Sequence, residues 1–516
     1  MSSHGDFASA GVQALDPPGT VTLVTTHNGG GSEIILIPTP SNDPNDPLNW
    51  PRWRKFLNHG LLTVMTLAVF TALSIQQVFW FPMTEDLNVT YQHLANGQAI
   101  QLVGLACSCI FVIPFTKKYG RRSTVEVYLT NLLFGLAGAT NEVAVEMTIK
   151  DIFFVHQRAR ANGVYFGAVM AGSFLTPMVA GVQAEAQGWR MSYTTLAGFM
   201  TVISVIFVFA FEETKYVPPA QASSDVDRDI LEHEVDPDNK DQIDLELAAS
   251  ASNIPPPPSM SKWQTYRHSM RFSTPTDESL TKLFMYPVYT SWIPHVVFGW
   301  LQLASGLTWL VAMSSIMTIA LSAPPYNFNP AQVGFMYTGP TIGAVFGFLY
   351  GGIFVDWATV RLARRNGGIF EPEMRLYPMV VPALIGAGGL ILFGVTIDRG
   401  MHYVYPSIGG AMFSFGVGSV CDISLTMVLD ALPHLVGQTF VAITFFRNAL
   451  SIVGSFTITP WLDKMGITNM FLLCGFLGLF FNGLAIPMIF WGKKIRIALA
   501  PRYYRLCKEI SENNLG

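Results

Sequence analysis

The chain has 516 residues, of which 50% are hydrophobic and only 13% are charged. An average soluble domain carries about twice that share of charged residues, so this composition excludes an ordinary soluble enzyme. The net charge of −4 argues against nucleic-acid binding, because domains that bind nucleic acid are basic. The five cysteines form neither a disulfide framework nor a zinc-ligand set by their spacing.

At the start of the chain, the first 48 residues are rich in Gly, Ser, Thr, Asn and Pro and show little periodicity. Such a segment cannot bury a core, so residues 1–55 are interpreted as a disordered amino-terminal arm. No charged segment followed by an apolar core opens the chain, and the sequence therefore indicates no cleaved signal peptide.

Long apolar runs recur from residue 56 onward, each close to the roughly 20 residues that cross a bilayer as a helix. The runs are continuously apolar and do not alternate, which favours helices over the strands of a barrel. We therefore predict an all-α polytopic membrane protein with about eleven spans. These spans are 56–81, 96–116, 127–149, 163–183, 193–211, 288–312, 331–355, 377–397, 403–427, 436–459 and 468–491.

The hydrophobic pattern stops between the fifth and sixth runs. Residues 225–246 hold ten carboxylates, and Pro255 to Pro258 follow in a row. This composition predicts a solvated linker between two bundles of helices. The resulting divisions are 56–212 for the amino-terminal bundle, 213–287 for the linker, 288–492 for the carboxy-terminal six-helix bundle and 493–516 for a tail.

Lys and Arg are concentrated in one set of connections between the runs and in the tail. Positive charge marks the cytoplasmic side of a membrane, so both termini are predicted to be cytoplasmic. The opposite connections are nearly bare, and one holds the glycosylation pattern Asn88-Val89-Thr90, as expected outside. The basic residues are Lys117, Lys118, Arg121, Arg122, Arg158, Arg160, Arg361, Arg364, Arg365, Lys493, Lys494, Arg496, Arg502 and Arg505.

The basic connections at 117–122 and 156–160 create a conflict, because both are predicted to be cytoplasmic. An even number of crossings must join them, yet the 33 residues of 123–155 are too few for two spans and a turn, which need about 40. Only one clean span, 127–149, can be drawn. Either one loop is misassigned, a helix is missing, or the segment forms a re-entrant hairpin buried by neighbouring protein.

An ordered series of motifs over residues 43–495 resembles the major facilitator superfamily, and within it the twelve-span branch of fungal drug:proton antiporters. The motifs are Asp46-Pro47-Leu48-Asn49-Trp50 with Lys55, Gly104 with Lys118-Tyr119-Gly120-Arg121-Arg122, Asn141-Glu142 with Glu146 and His156-Gln157-Arg158, Gly172 with Pro177 and Gly181, Trp189-Arg190, Phe211-Glu212-Glu213-Thr214, Pro325-Tyr326-Asn327-Phe328, Asp356, Arg364-Arg365-Asn366-Gly367, Glu371-Pro372-Glu373-Met374-Arg375-Leu376, Asp430 and Arg447-Asn448.

This resemblance implies two bundles that rock around a central cavity, with walls from spans one, four, seven and ten of the family fold. It also implies a full span between the Gly-Arg-Arg motif and the fourth span. Here the fourth-span pattern at Tyr128 follows Arg122 almost directly, so the third span is inferred to be absent. A skipped exon or a faulty gene model would produce such a gap.

Ionisable groups at membrane depth are costly, which makes each one a candidate for function. Glu142 and Glu146 lie one helical turn apart, and two like charges so close favour proton uptake by one of them. Proton coupling requires such a group; a structural pairing with Arg158 or Arg160 is the alternative. Asp422, alone in an apolar run, is a candidate for proton or substrate binding or for a structural hydrogen bond.

Further candidates are polar or aromatic side chains within the spans. Gln76 and Gln77 in the first span are expected to contact substrate or to hydrogen-bond between helices. Trp300 and Gln302 suit an aromatic, flat or cationic substrate, with core packing as the alternative.

By resemblance, a gating loop between spans is expected to stabilise one access state, and its alternative role is to hold positive charge inside. Its residues are Gly120, Arg121 and Arg122, with a repeat in the second half at Asp356, Arg364 and Arg365. A span-five motif, which would permit a kink and close helix approach, consists of Gly172, Pro177 and Gly181.

The resemblance implies a proton-coupled exporter of small organic compounds, acting by alternating access as a monomer in a fungal plasma membrane. The proton gradient is expected to supply the energy, with no cofactor, since no phosphate-binding G-x-x-x-x-G-K-[ST] loop is present. The alternatives are an importer, a polyamine or organic-cation carrier, and a sensor or inactive protein that lacks one helix. A membrane enzyme is disfavoured, because no histidine cluster or nucleophile–base pair stands at a suitable spacing.

Overall fold

The computed structural model describes residues 17–22, 24–26, 32–34, 47–119, 141–153 without 143, 146 and 150, 155–212, 214 and 280–515. Nearly all of these residues are helical, as the apolar runs predict. The first half contains a short 3-10 turn at Pro47–Asn49, helix α1 at Arg52–Val78, α2 at Trp80–Leu87, α3 at Tyr91–Tyr119, helical residues within 141–152, α4 at Val155–Met170, a π-helical turn at Ala171–Leu175, α5 at Thr176–Gln187 and α6 at Trp189–Ala210.

The second half follows after residue 279. It contains α7 at Leu280–Ser291, α8 at Pro294–Ser322, α9 at Pro330–Met336, α10 at Thr338–Phe348, a second π-helical turn at Leu349–Phe354, α11 at Val355–Arg365, a 3-10 helix at Pro372–Met379, α12 at Val380–Asp398, α13 at Val404–Ala431, α14 at Val436–Gly483 and α15 at Ala485–Leu515. Strands are short: β1 at Val21–Thr22, β2 at Val24–Thr26, β3 at Ser32–Ile34 and β4 at Ile369–Phe370.

Eight helical stretches among the described residues are long and apolar enough to cross a membrane. Some of them join several helices, since the stretch from Val436 to Cys507 holds both of the last two predicted spans, which are separated by a break at Gly466. The polytopic all-helical prediction is therefore confirmed. Most of the predicted span 127–149 lies outside the described residues.

One helix start differs from the sequence prediction. The seventh-span helix of the family fold was expected from residue 288, whereas α8 begins at Pro294. Pro294 lacks the backbone N–H that an interior helical position needs, and Ile293 before it is extended, with φ −69° and ψ 127°. The chain therefore breaks between α7 and α8, and the apolar run is divided between two helices.

The two halves meet along two pairs of helices. In one pair α3 lies against α14, and in the other α5 lies against α9. Within the second half, α12 and α13 pack along much of their length. Large apolar side chains such as Phe209, Phe480 and Phe490 remain exposed on the outside of the bundle, as lipid-facing positions require.

One ion pair and two neighbouring contacts stabilise the end of the bundle where α1 begins. Arg54 Nε donates to both carboxylate oxygens of Glu212 at 2.9 Å, and its guanidinium lies 3.9 Å from the centre of the Trp50 ring. Asn58 Oδ1 accepts from the Glu212 backbone N–H at 2.9 Å, so the start of α1 is joined to the end of α6. We call this side, which also carries residues 365–375, 431–435 and 493–505, the terminal face.

Part of the arm predicted to be disordered is ordered on this terminal face. Strand β1 pairs antiparallel with β4, with Val21 opposite Phe370. Arg496 Nη1 donates to the Pro18 carbonyl at 2.7 Å and to Thr20 Oγ1 at 3.0 Å. The arm precedes the first half of the chain and yet binds the second half, a contact that composition alone does not reveal.

Residues 141–153 run from the middle of α1 toward the terminal face. Asn141 Nδ2 donates to Thr66 Oγ1 at 2.8 Å, halfway along α1, and the Phe153 ring lies 5.5 Å from His59, near the start of that helix. Tyr119 ends the helix before this segment and Val155 begins the helix after it. The chain thus returns toward the terminal face before Val155, where α4 begins.

Candidate functional site

A buried ion pair lies where the two halves meet. Arg447, on α14, donates from Nη2 to Glu142 Oε2, and the exposed fractions of the two side chains are 11% and 1%. The residues are 305 positions apart in the chain. This contact joins the segment 141–153 of the first half to α14 of the second half.

Neighbouring side chains hold both partners in place. Asn448 Oδ1 accepts from Arg447 Nε at 3.2 Å and from Nη2 at 3.1 Å. Asn141, the neighbour of Glu142, is tied to Thr66 of α1, as described above. The other carboxylate oxygen, Glu142 Oε1, is buried and has no hydrogen-bond partner among the described residues.

This arrangement can bind a proton or a cationic group. The unpartnered Oε1 atom is an acceptor that a proton, a water molecule or a substrate donor could satisfy. Protonation would remove the charge of Glu142 and weaken its attraction for Arg447. A buried ion pair is expensive to form and strongly unfavourable to break on one side only, so its protonation state affects how the halves fit together.

Asp422 is also buried, on α13, as the sequence predicts for a lone carboxylate. Thr426 Oγ1, one turn away, lies 3.5 Å from Asp422 Oδ1. A methyl group at Gly351 would come within 2.7 Å of Oδ2, so the glycine leaves the space that this carboxylate occupies. Glu146, the partner proposed for Glu142, lies outside the described residues.

Trp300 and Gln302 occupy different surroundings. The Trp300 ring stacks on Phe446, with ring centres 5.2 Å apart, and Phe446 adjoins Arg447. Trp300 therefore packs on the residue that precedes Arg447 in α14. Gln302 contacts a different part of α14, because its Nε2 donates to the Phe481 carbonyl at 2.6 Å.

Gln76 and Gln77 lie in the last turn of α1, far along the helix from Thr66 and from the ion pair. Gln77 is buried and Gln76 is half-buried near Gly97 of α3. Their position favours the role between helices over a role at the central site.

The expected gating loop at Gly120, Arg121 and Arg122 lies outside the described residues. In the repeat of this motif in the second half, Asp356 pairs with Arg375 and not with Arg364 or Arg365. Asp356 accepts from Arg375 Nη1 at 2.7 Å, and Arg375 Nε donates to Asp430 Oδ2 at 2.7 Å.

Arg375 therefore clamps the start of α11 to the end of α13. The basic residues that follow Asp356 have other surroundings. The Arg361 guanidinium lies 5.7 Å from the centre of the Trp357 ring. Arg364 and Arg365 lie in the last turn of α11, where their positive charge interacts favourably with the negative end of the helix dipole.

The span-five motif lies at two close helix approaches. A methyl group at Gly172 would come within 2.7 Å of the Leu67 carbonyl oxygen on α1. One at Gly181 would come within 2.6 Å of the Pro330 carbonyl oxygen, where α5 meets α9. Pro177 follows the π-helical turn, a local irregularity that is frequent at functional sites. Gly172 therefore allows a close approach within the first half, and Gly181 allows one between the two halves.

The face opposite the terminal face carries the predicted glycosylation pattern. Asn88 is exposed and ends α2 in the left-handed conformation, with φ 53°. Nearby, Asp86 accepts from Trp189 Nε1 at 2.9 Å and from Arg190 Nη1 at 2.8 Å. These hydrogen bonds, first from Trp189 and then from Arg190, hold the pKa of the Asp86 carboxyl below its usual value.

Arg447 is not among the candidate site residues predicted from the sequence, although the Arg447-Asn448 pair is one of the motifs. The signal was present in the sequence, because Arg447 is the only basic residue in the apolar run 436–459. A cation in such a run needs a buried acid, and Glu142 was the strongest candidate acid.

Comparisons with known proteins agree with this architecture. The sequence model of the Major Facilitator Superfamily matches residues 124–455. An uncharacterized MFS-type transporter of Schizosaccharomyces pombe is 27% identical over 551 residues, covering 94% of each chain. Protein HOL1 of Saccharomyces cerevisiae is 27% identical over 545 residues, with 90% of this chain and 91% of the relative covered. The MFS antiporter QDR3 of Candida albicans is 23% identical, with 85% and 78% covered.

Each of these alignments is longer than the 516 residues of this chain, so the relatives carry residues that have no counterpart here. The family match covers more than half of the chain and includes both partners of the ion pair. The chain belongs to the major facilitator superfamily and is a multi-pass membrane transporter, not an enzyme.

Proposed function

We propose that the protein exports small organic compounds from fungal cells in exchange for protons, by alternating access across the plasma membrane. The terminal face, with both ends of the chain, is then cytoplasmic. The proposal is supported by the charge distribution of the connections, by the resemblance to drug:proton antiporters and by relatives whose names include an antiporter.

The observation that carries the proposal is the ion pair between Glu142 and Arg447. It is buried, it links the two halves, and one carboxylate oxygen is left without a partner among the described residues. Transport by rocking requires contacts between the halves that can be made and broken. A carboxylate that exchanges its arginine partner for a proton is such a contact.

The sequence of events follows from charge. With Glu142 ionised, its attraction for Arg447 holds the two halves together at this level. Proton uptake neutralises Glu142, frees Arg447 to seek other acceptors, and allows the halves to separate on one side. Because a ligand shifts a two-state equilibrium only through its different affinities for the two states, proton and substrate must each favour one state.

Transport of the fluorescent cation ethidium by the purified full chain in proteoliposomes tests the coupling. We expect an imposed pH gradient to drive ethidium movement, and a protonophore to abolish the gradient-driven part. Glu142→Gln should remove the response to the gradient, since glutamine cannot take up a proton. Glu85→Gln, an exposed carboxylate on the opposite face, is the matched control and should respond as the native chain does.

Two outcomes would contradict proton coupling. One is ethidium movement that continues unchanged after the gradient has been collapsed. The other is a Glu142→Gln variant that still follows the gradient. Either result would leave Glu142 as a structural partner of Arg447.

A second candidate function is an inward carrier of organic cations or polyamines. It is favoured by the burial of two carboxylates, Glu142 and Asp422, whose negative charge would attract a substrate amine. Saturable uptake of a radiolabelled amine into cells, reduced by Asp422→Asn, would support this candidate over export.

A further inference from the structure

A cavity opens on the terminal face between α7, the start of α8 and α15. Much of its wall is apolar and includes Tyr289, Leu432, Leu499 and Leu506. Pro18 of the arm closes one side. The cavity is separate from the central ion pair, because its lining residues come from the ends of helices at the terminal face.

The rim of the cavity is basic. Arg502 and Arg505 line it, are exposed, and make no ion pair or hydrogen bond with the described residues. Glu509 is the one acidic group in the lining. Arg496 also lines it, but its charge is balanced by Glu373, to which Nε and Nη2 donate at 2.8 Å and 2.7 Å. Apart from Arg496, the lining therefore holds two guanidinium groups against one carboxylate, an excess of one positive charge.

A buried polar atom in the wall also lacks a partner. His295 lines the cavity and is only 1% exposed. Its Nε2 lies 3.4 Å from Glu373 Oε1, while Nδ1 is buried with no hydrogen-bond partner among the described residues. Buried polar atoms are nearly always satisfied, so this nitrogen is a hydrogen-bonding atom in a lining residue that a polar ligand could satisfy.

We propose that this cavity binds the phosphate group of an anionic amphiphile, with its hydrocarbon part against the apolar wall. Guanidinium groups recognise phosphate oxygens by paired hydrogen bonds, which matches Arg502 and Arg505 at the rim. The cavity lies where α15 passes from the apolar residues 485–491 to the basic residues 493–505, at the level of lipid headgroups. A phospholipid of the facing leaflet is one source of this group, and free phosphate is the other.

The thermal unfolding of the purified full chain distinguishes these sources. Micelles of phosphatidylcholine are compared with the same micelles containing phosphatidic acid, and with phosphatidylcholine plus inorganic phosphate. We expect phosphatidic acid to raise the unfolding temperature saturably, and inorganic phosphate to have a much smaller effect. An equal effect of inorganic phosphate would overturn the role of the apolar wall and leave a site for phosphate alone.

Variants locate the site. Arg502→Gln and Arg505→Gln should each weaken the apparent affinity for phosphatidic acid about tenfold, equivalent to about 1.4 kcal/mol. Lys494→Gln, which removes one exposed charge from the same helix outside the cavity, is the matched control and should keep the native affinity. His295→Phe, which keeps a ring in the wall but removes Nδ1, should also weaken the response.

The proposal is overturned if phosphatidic acid leaves the unfolding temperature unchanged. It is also overturned if Lys494→Gln lowers the affinity as much as the two arginine variants do, because the effect would then be one of net charge. Each variant is first measured in phosphatidylcholine alone, so a loss of folding is separated from a loss of binding.

Discussion

At the scale of single residues, the central feature is a charge pair in surroundings that do not favour charge. Two buried ions repay the loss of hydration only when their geometry is good and their remaining hydrogen-bonding atoms are satisfied. Arg447 meets this condition through Asn448, whereas Glu142 keeps one oxygen without a described partner. The pair is therefore better suited to a contact that changes during transport than to one that only stabilises the fold.

Breaking the pair on one side should cost more than removing it altogether. Arg447→Leu leaves the Glu142 carboxylate buried alone, and we expect a loss of about 3–5 kcal/mol in the free energy of unfolding. The double variant Glu142→Leu with Arg447→Leu should recover most of that loss. Unfolding in detergent, analysed as a double-mutant cycle, measures the coupling. Additive losses would show that the two side chains act independently.

The contact between Asp86 and its two donors should persist at mildly acidic pH. Because Trp189 and Arg190 lower the pKa of Asp86 in the folded chain, its contribution to stability is fully present above the unfolded value of 3.8. It is lost as the pH falls through the lower folded value. Asp86→Asn should therefore lower the unfolding temperature equally at about pH 5 and about pH 7. A difference between these two pH values would contradict the low pKa.

The acidic residues of the central site could be predicted from the sequence, but the pairing of Glu142 with Arg447 could not. Glu142 and Asp422 are recognisable as candidates because an acid in an apolar run is costly. The partner of Glu142 is 305 positions away, and nothing in local spacing selects Arg447 over another cation. The same reason explains Asp356, whose partner Arg375 is farther along the chain than three arginines of α11.

At the scale of elements, apolar runs predict where the helices are but not where two helices pack against each other. Helices α12 and α13 cross at glycines, where the absence of a side chain lets two backbones come close. A methyl group at Gly389 would lie 2.7 Å from the Gly409 carbonyl oxygen and 2.8 Å from the Met412 Cβ atom. The adjacent Gly388 is on another side of the helix, where the nearest atom is the flexible Met412 Cε atom at 3.8 Å.

These neighbouring glycines make a matched pair. Each substitution by alanine adds helix propensity worth up to about 1 kcal/mol. We expect Gly388→Ala to be neutral or stabilising, and Gly389→Ala to destabilise by about 1–3 kcal/mol through overpacking. Unfolding in detergent compares the two variants directly. Equal effects would mean that α12 and α13 can move apart at no cost.

At the scale of the whole molecule, the count of crossings depends on the segment between α3 and α4. Residues 141–153 descend from the middle of α1 to the terminal face, and residues 120–140 lie outside the described part of the chain. The absence of the third span therefore stays a prediction from the sequence. It rests on the resemblance, because only a family pattern indicates that a span is expected there.

Restoring the inferred third span should increase transport. A span taken from the corresponding region of a relative, inserted between Arg122 and Tyr128, would supply the missing crossing. We expect ethidium transport in proteoliposomes to rise several-fold above that of the present chain. An insertion of equal length in the linker 213–287 is the control and should change nothing. Equal transport with and without the added span would show that this chain is complete as it stands.

The seating of the arm has one more consequence. Gly19 has φ 83°, which side chains disfavour, and a methyl group there would come within 2.9 Å of Ala431 Cα at the end of α13. A saturation-mutagenesis screen of the arm for folded protein should therefore find position 19 less tolerant of substitution than the polar positions of residues 1–16. Exchanging leaders between homologous carriers would then succeed only where the donor brings a glycine to this place.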